Sequence, residues 1–281
     1  FDIHLFADDS NLFLSDKSLI NLERVINCEL VKVKAWLDAN KLTLNVSKSN
    51  FIIFHSHKKK VSHNLKLTIN DVALEQKQNT KYLGIIIDSN LNWKNHVHQI
   101  SAKMSKCIGI LSKLRYYLDR TILTQLYYAF LYPYLTYGLV VWGNTYHTNI
   151  YPIITLQKRA IRIMTHSKFD DHSSPLFKSL NILKFTDLVF FQNALLMYQY
   201  HEKSLPPIFD DFFKPVYRVH SHNTRLASRS SLYIPKIRTN YGKFNLRYLG
   251  AKTWNSIEEN IKQLNKRLFK RKLKSMILAS Y

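Results

Sequence analysis

Acidic residues are scarce in this chain. Nineteen Asp and Glu stand against 41 Lys and Arg in 281 residues, a net charge of +22 that far exceeds what solubility requires. Such a balance points to a polyanionic partner, with nucleic acid the default. Cysteine is also scarce. Cys28 and Cys107 offer neither a disulfide framework nor zinc-knuckle spacing, and they fit a reducing, intracellular compartment, nuclear or cytoplasmic. Between Thr121 and Gln157 there is no Asp, Glu, Lys or Arg at all. That stretch is rich in Tyr and Thr, is broken by Pro133, Gly138 and Gly143, and holds no apolar run near the roughly 20 residues of a spanning helix. It reads as buried helical core, with no membrane span. A hydrophobic content of 46% excludes disorder. There is no initiating Met, and Phe1 falls inside a strand-like segment, so the chain reads as a fragment.

Asp8 and Asp9 stand between two apolar arms, Phe1 to Ala7 and Ser10 to Leu14. Strands joined by a tight turn at Asp-Asp hold adjacent carboxylates at the tip of a hairpin. Carboxylates so held suit Mg²⁺, a hard cation that prefers oxygen ligands. After them, Ser15 or Asp16 can cap a helix with Leu19, Leu22, Ile26, Leu30, Val33 and Leu37 on one face, ending near Asn40. Residues 42–54 and 61–74 read as strands, the latter turning at Asn70-Asp71. Residues 81–87 read as a buried strand. The first 90 residues are thus a sheet with a helix packed on it. Periodic segments at about 94–117, 120–131, 151–166 and 186–201 predict helices. A Pro-containing break, a polar and basic stretch with strand-like pieces near Leu232, and a last helix over about 256–278 follow.

Several of these segments resemble known motifs. Phe6-Ala7-Asp8-Asp9 looks like the palm signature of reverse transcriptases, in the version found in non-LTR retrotransposons of the jockey type. Leu42-Thr43-Leu44-Asn45-Val46-Ser47-Lys48-Ser49 is similar to the family's next motif, with Ser49 where Thr is more usual. Thr80 to Asp88 resembles the strand motif that grips the primer end, and Asn90 to His96 the opening of the thumb. Arg238 to Lys243, Trp254-Asn255 and Phe269 to Leu273 match the far end, although Ala251 departs from the usual Pro.

The resemblance implies an α+β fold. Residues 1–90 would be the C-terminal half of a palm, 91–205 a mainly helical thumb and connection, and 206–281 a basic C-terminal region. It implies RNA-directed DNA synthesis with Mg²⁺ and deoxynucleotides, on an RNA template and an RNA–DNA or DNA duplex. Asp8 and Asp9 would be catalytic metal ligands, Asp8 the firmer. Lys48 would neutralise or protonate the leaving pyrophosphate, and Tyr82, Leu83 and Gly84 would support the primer end. The family's palm also needs an Asp from an earlier strand, and its fingers bind the nucleotide. Neither is found in these residues, nor is an endonuclease or RNase H signature, so the chain is expected to be inactive alone. The alternative is a non-enzymatic RNA- or DNA-binding remnant of a retroelement.

The basic residues point to where nucleic acid would lie. After Asp211, sixteen Lys and Arg face only Glu258 and Glu259, and a region this one-sided repels itself unless it meets phosphate. Lys103, Lys106, Lys113 and Arg115 fall in the first helix after Trp93, and Lys158, Arg159 and Arg162 in a later one. With Arg238, Lys243, Lys270, Arg271 and Lys272 they form the candidate backbone-tracking set. The pairs His55/His57, His96/His98 and His220/His222 lack any Cys spaced to complete a zinc site.

Overall fold

The computed structural model describes residues 2–56, 59, 63–219 and 231–281. It is an α+β chain, mostly helical, in two units, Phe1–Leu91 and Asn92–Tyr281. The first contains β1 (Asp2–Phe6), β2 (Asp9–Phe13), α1 (Leu19–Ala39), β3 (Asn50–Phe51), β4 (Thr68–Ile69), β5 (Val72–Ala73), β6 (Glu75–Gln76), β7 (Asn79–Tyr82) and β8 (Ile85–Asp88). The expected single sheet is instead a set of two-stranded ladders: β1 with β2, β4 with β5 and β7 with β8, all antiparallel, and β3 with β6 in parallel.

The amphipathic helix forms as its periodicity requires, but starts later than Ser15 or Asp16. Ser18 is the N-cap and accepts from the Asn21 amide, while Asp16 accepts from the Ser18 amide at 2.7 Å. Asp16 therefore braces the cap and is not itself the cap. Leu30 packs with Leu65, Leu67 and Ile69, and Leu12, Leu19, Leu22, Ile26, Val46 and Phe51 close around them. Asn27 ties helix to strand by donating to the Lys66 carbonyl at 2.9 Å and accepting from the Thr68 amide at 3.1 Å.

Two strand expectations fail locally. Residues 42–54 yield only β3 and a 3₁₀ turn, Val46–Lys48. The Asn45 side chain accepts from the Lys48 amide at 3.2 Å and the Ser47 hydroxyl at 2.7 Å, which draws the backbone out of a ladder. The segment 81–87 is a hairpin and not one buried strand. Leu83 and Gly84 take φ of 46° and 83°, Tyr82 pairs with Ile85, and the apolar residues are only half-buried. The Asn70-Asp71 turn does form, with φ of 50° and 61°, the sign that a type I′ hairpin needs at both central residues.

The second unit contains α2 (Lys94–Leu114), α3 (Arg120–Leu126), α4 (Tyr132–Thr136), α5 (Leu139–Trp142), α6 (His147–Met164), α7 (Ser173–Ser179), α8 (Phe185–His201), α9 (Asn240–Lys243), α10 (Leu246–Asn255), α11 (Glu259–Lys262) and α12 (Lys266–Ala279). The long terminal helix expected over 256–278 is split, because Asn265 caps α12 by accepting from the Leu268 amide. The charge-free stretch is core: Leu123, Tyr127, Leu131, Leu135 and Leu139 are each at most 1% exposed. A strict four-residue repeat drifts about 40° per step on an α-helix. The π-turn Tyr127–Leu131 between α3 and α4 holds extra residues per turn and offsets that drift. Gln157, also buried, donates to the Tyr127 hydroxyl and the Leu183 carbonyl, both at 3.0 Å. Apolar on all sides, α8 is surrounded by α4, α5, α6, α10 and α12. Among the described residues no helix is long and apolar enough to cross a membrane.

Candidate active site and nucleic-acid interface

The turn of the first hairpin is Ala7-Asp8, one residue earlier than the Asp-Asp turn expected. Phe6 pairs with Asp9, so Asp9 opens β2 while Asp8 occupies the loop, and Ala7 takes a left-handed φ of 52°. Both carboxylates are exposed. The hairpin is held by its second strand: Leu12 joins the α1 core, and Phe13 meets His4 and Tyr82 edge-on at 5.1 and 6.3 Å. β1, by contrast, pairs among the described residues with β2 alone, and Ile3, Leu5 and Phe6 are 55%, 67% and 63% exposed.

As hard oxygen donors the two carboxylates suit Mg²⁺ in kind. In number they fall short, since among the described residues no group of three or more His, Cys, Asp or Glu side chains could hold a metal ion. His96 is buried against Trp142 at 5.2 Å and His98 is exposed. His57, His220 and His222 lie outside the described residues.

Lys48 ends the 3₁₀ turn with its side chain exposed. Val46 in the same turn packs into the core that holds Leu12, so one small cluster supports both the Lys48 turn and the Asp hairpin. Tyr82, Leu83 and Gly84 form the head of the β7–β8 hairpin. The Phe13–Tyr82 contact joins this hairpin to the base of the first one, roughly 14 Å along β2 from Asp9. The glycine's part is thus conformational, since it supplies a positive φ at the turn.

The second unit sorts its basic residues. Lys103, Lys106 and Lys113 are exposed, and their i, i+3, i+10 spacing confines them to about 80° of the α2 surface over roughly 15 Å. Lys103 also lies 5.4 Å from the Tyr134 ring. Arg115 sits over Tyr116 at 4.8 Å and donates to its hydroxyl at 2.9 Å. Lys158 is half-buried and Arg159 exposed. Arg162 is engaged within the chain: Nε and Nη2 donate to the Asp171 carbonyl at 3.0 and 2.8 Å, which makes it a clamp on the loop after α6. Arg238, Lys243, Lys270, Arg271 and Lys272 are exposed.

Several motif residues have structural work. The Asn92 side chain accepts from the Lys94 amide at the start of α2, while its carbonyl accepts from Thr145 and Asn149. Trp254 is buried, and the Asn255 amide pairs with both backbone groups of Leu232 at 2.9 and 2.7 Å. Gly250-Ala251, where Pro was expected to be usual, lies inside α10. There a Cβ on Gly250 would come within 2.6 Å of Met197 Sδ. Sequence reasoning overlooked Lys178 and Lys274, which join Arg271 around one cleft. The like-charged run 270–272 was the only local signal, and nothing in it points to α7.

Curated proteins supply the comparison. The chain is 27% identical over 183 residues to a probable RNA-directed DNA polymerase from transposon BS of Drosophila melanogaster, which covers 63% of this chain and 20% of that protein. The chain is similar to retrotransposon RNA-directed DNA polymerases. Another relative is the probable RNA-directed DNA polymerase from transposon X-element, at 25% identity over 73% of this chain. A third is the RNA-directed DNA polymerase from mobile element jockey, at 22% over 66%, both again from Drosophila melanogaster. The chain spans about a fifth of the length of each of these relatives. No family model matches it, and no solved structure does.

Proposed function

We propose that this chain is the nucleic-acid-handling part of a retroelement RNA-directed DNA polymerase: palm residues 1–90, a helical thumb and connection over 91–205, and a basic region over 206–281. The observation that carries the reading is the hairpin presenting Asp8 and Asp9 in a chain similar to three such polymerases. In the parent enzyme Mg²⁺ ions would stabilise the attacking and leaving oxygens of phosphoryl transfer. Asp8 and Asp9 hold two carboxylates at a fixed turn, and Lys48 offers a cation to the departing pyrophosphate. The Tyr82–Gly84 turn gives the primer end a surface beside Phe13. Template, duplex and deoxynucleotides are the substrates of that parent activity.

The isolated chain is catalytically silent in this reading, because the two carboxylates lack a third acidic partner among the described residues. Among the described residues β1 is paired on one edge alone, which leaves its other edge able to take a further strand. Primer extension on an RNA template, with Mg²⁺ and deoxynucleotides, is expected to give no product. Extension that Asp8→Ala abolishes would contradict this. The second reading, binding without catalysis, is favoured by the same incomplete ligand set, and it expects nucleic-acid affinity to survive Asp8→Ala.

A further inference from the structure

α12 is built against its own stability. Its fourteen residues include six Lys and Arg and no acid, and three like-charged pairs sit at i, i+4: Lys266/Lys270, Arg267/Arg271 and Lys270/Lys274. Like charges at that spacing destabilise an exposed helix. Phe269 and Leu273 anchor the helix in the core, so the bases cannot rotate away from one another.

Part of this charge meets a third cation from a distant segment. A cleft of about 510 Å³ lies between α7 and α12, lined by Lys178, Asn181, Arg271, Lys274 and Ser275 over an apolar floor that includes Leu278. None of its described lining residues is acidic. Lys178 Nζ donates to the Tyr281 main-chain oxygen at a long 3.5 Å. Burial pulls the Lys274 ammonium below its ordinary pKa, so that charge is held in the cleft at a cost. Asn181 and Ser275 add neutral side chains able to donate hydrogen bonds.

We propose that the α7–α12 cleft is a phosphate-binding site that grips the backbone of the nucleic acid, with Lys178, Arg271 and Lys274 as its cations. Arg271 presents a planar fork suited to two phosphate oxygens, and Lys178 and Lys274 act as point charges on either side of it. Contact of this kind is blind to base sequence and fixes the position of the strand. The inference rests on the nucleic-acid reading above and deepens it by naming where the C-terminal region takes hold.

The test is binding of a fluorescent RNA–DNA hybrid to the full chain over a range of NaCl concentrations. The chains compared are the wild type, Arg271→Gln/Lys274→Gln, and the charge-matched control Lys236→Gln/Lys252→Gln. Each phosphate neutralised contributes about 0.9 to the slope of log affinity against log salt. With Arg271 and Lys274 each on its own phosphate of the strand, the cleft variant should lose about 1.8 of that slope, and the control should keep it. A wild-type chain without affinity for the hybrid defeats the nucleic-acid reading itself. A wild-type chain that binds, with equal slopes in both variants, defeats only the cleft. Should the double variant fail to fold by circular dichroism, Lys178→Gln on the other helix is read instead, with an expected loss of about 0.9. Inorganic pyrophosphate that raises the melting temperature through the cleft residues, with the hybrid slope unchanged, would overturn the proposal in favour of a free-phosphate site.

Discussion

At the residue scale, the strongest electrostatic statement concerns His96. Burial beside Trp142, reinforced by the charge of Lys103, pushes its pKa down from 6.5 to about 4. The folded state therefore holds the neutral ring, whereas the unfolded chain binds a proton near pH 6.5. This stability is complete above pH 6.5 and is lost as pH falls towards 4. At most about 3 kcal/mol is at stake, from 1.36 kcal/mol per pKa unit. Urea unfolding at pH 7 and pH 4.5 should show the loss, and His96→Phe, which keeps an aromatic edge against Trp142, should reduce it. An equal pH dependence in the variant would assign the effect to other groups. The sequence marked His96 as one of a His-x-His pair and as the last residue of the thumb-like motif, with no sign of its burial. Its burial depends on a partner 46 positions away, which no local pattern displays.

At the element scale, the seam between α8 and α10 depends on Gly250. Glycine inside a helix ordinarily costs about 1 kcal/mol relative to alanine, so Gly250→Ala ought to stabilise α10. Here the added Cβ would meet Met197 Sδ at 2.6 Å and Phe213 ring carbons at 2.8 and 2.9 Å. Overpacking of this kind costs about 1–3 kcal/mol. The net effect predicted is destabilisation, read as a lower denaturant midpoint. A higher midpoint would mean that the α8–α10 packing yields easily. On α12 the sign reverses. Lys270→Glu turns two repulsive i, i+4 pairs into attractive ones and should raise the melting temperature slightly while weakening hybrid binding. A rise without the loss in binding would leave the lysine without a partner to explain it.

Elements with a long amphipathic repeat were the legible ones. α1, α2 and α6 lie where their apolar residues placed them, because a stripe over five turns leaves few alternatives. Side chains that capture the backbone concealed the rest. Asn45 breaks the expected strand before Lys48, and Asn265 splits the last helix. At Leu83-Gly84, uniform apolar character masked a turn that only the glycine hinted at. In the candidate site, Asp8 and Asp9 stood out between their apolar arms and Lys48 only through the family resemblance, and their common support from Leu12 and Val46 was not visible at all. Arg162 resembled a surface base until the loop after α6 supplied the Asp171 carbonyl.

At the scale of the whole molecule, the surplus charge and the carboxylate pair separate. The carboxylate pair and the Lys48 turn belong to the first unit, while most of the surplus positive charge belongs to the second. A chain of this design should hold nucleic acid whether or not it can extend a primer. The most direct measurement is the affinity of the purified chain for an RNA–DNA hybrid as salt is raised, with Asp8→Ala/Asp9→Ala in parallel. A steep fall of log affinity with log salt is expected in both proteins, at affinities equal or slightly higher in the variant, which has two fewer negative charges. No measurable binding, or an affinity indifferent to salt, would contradict it.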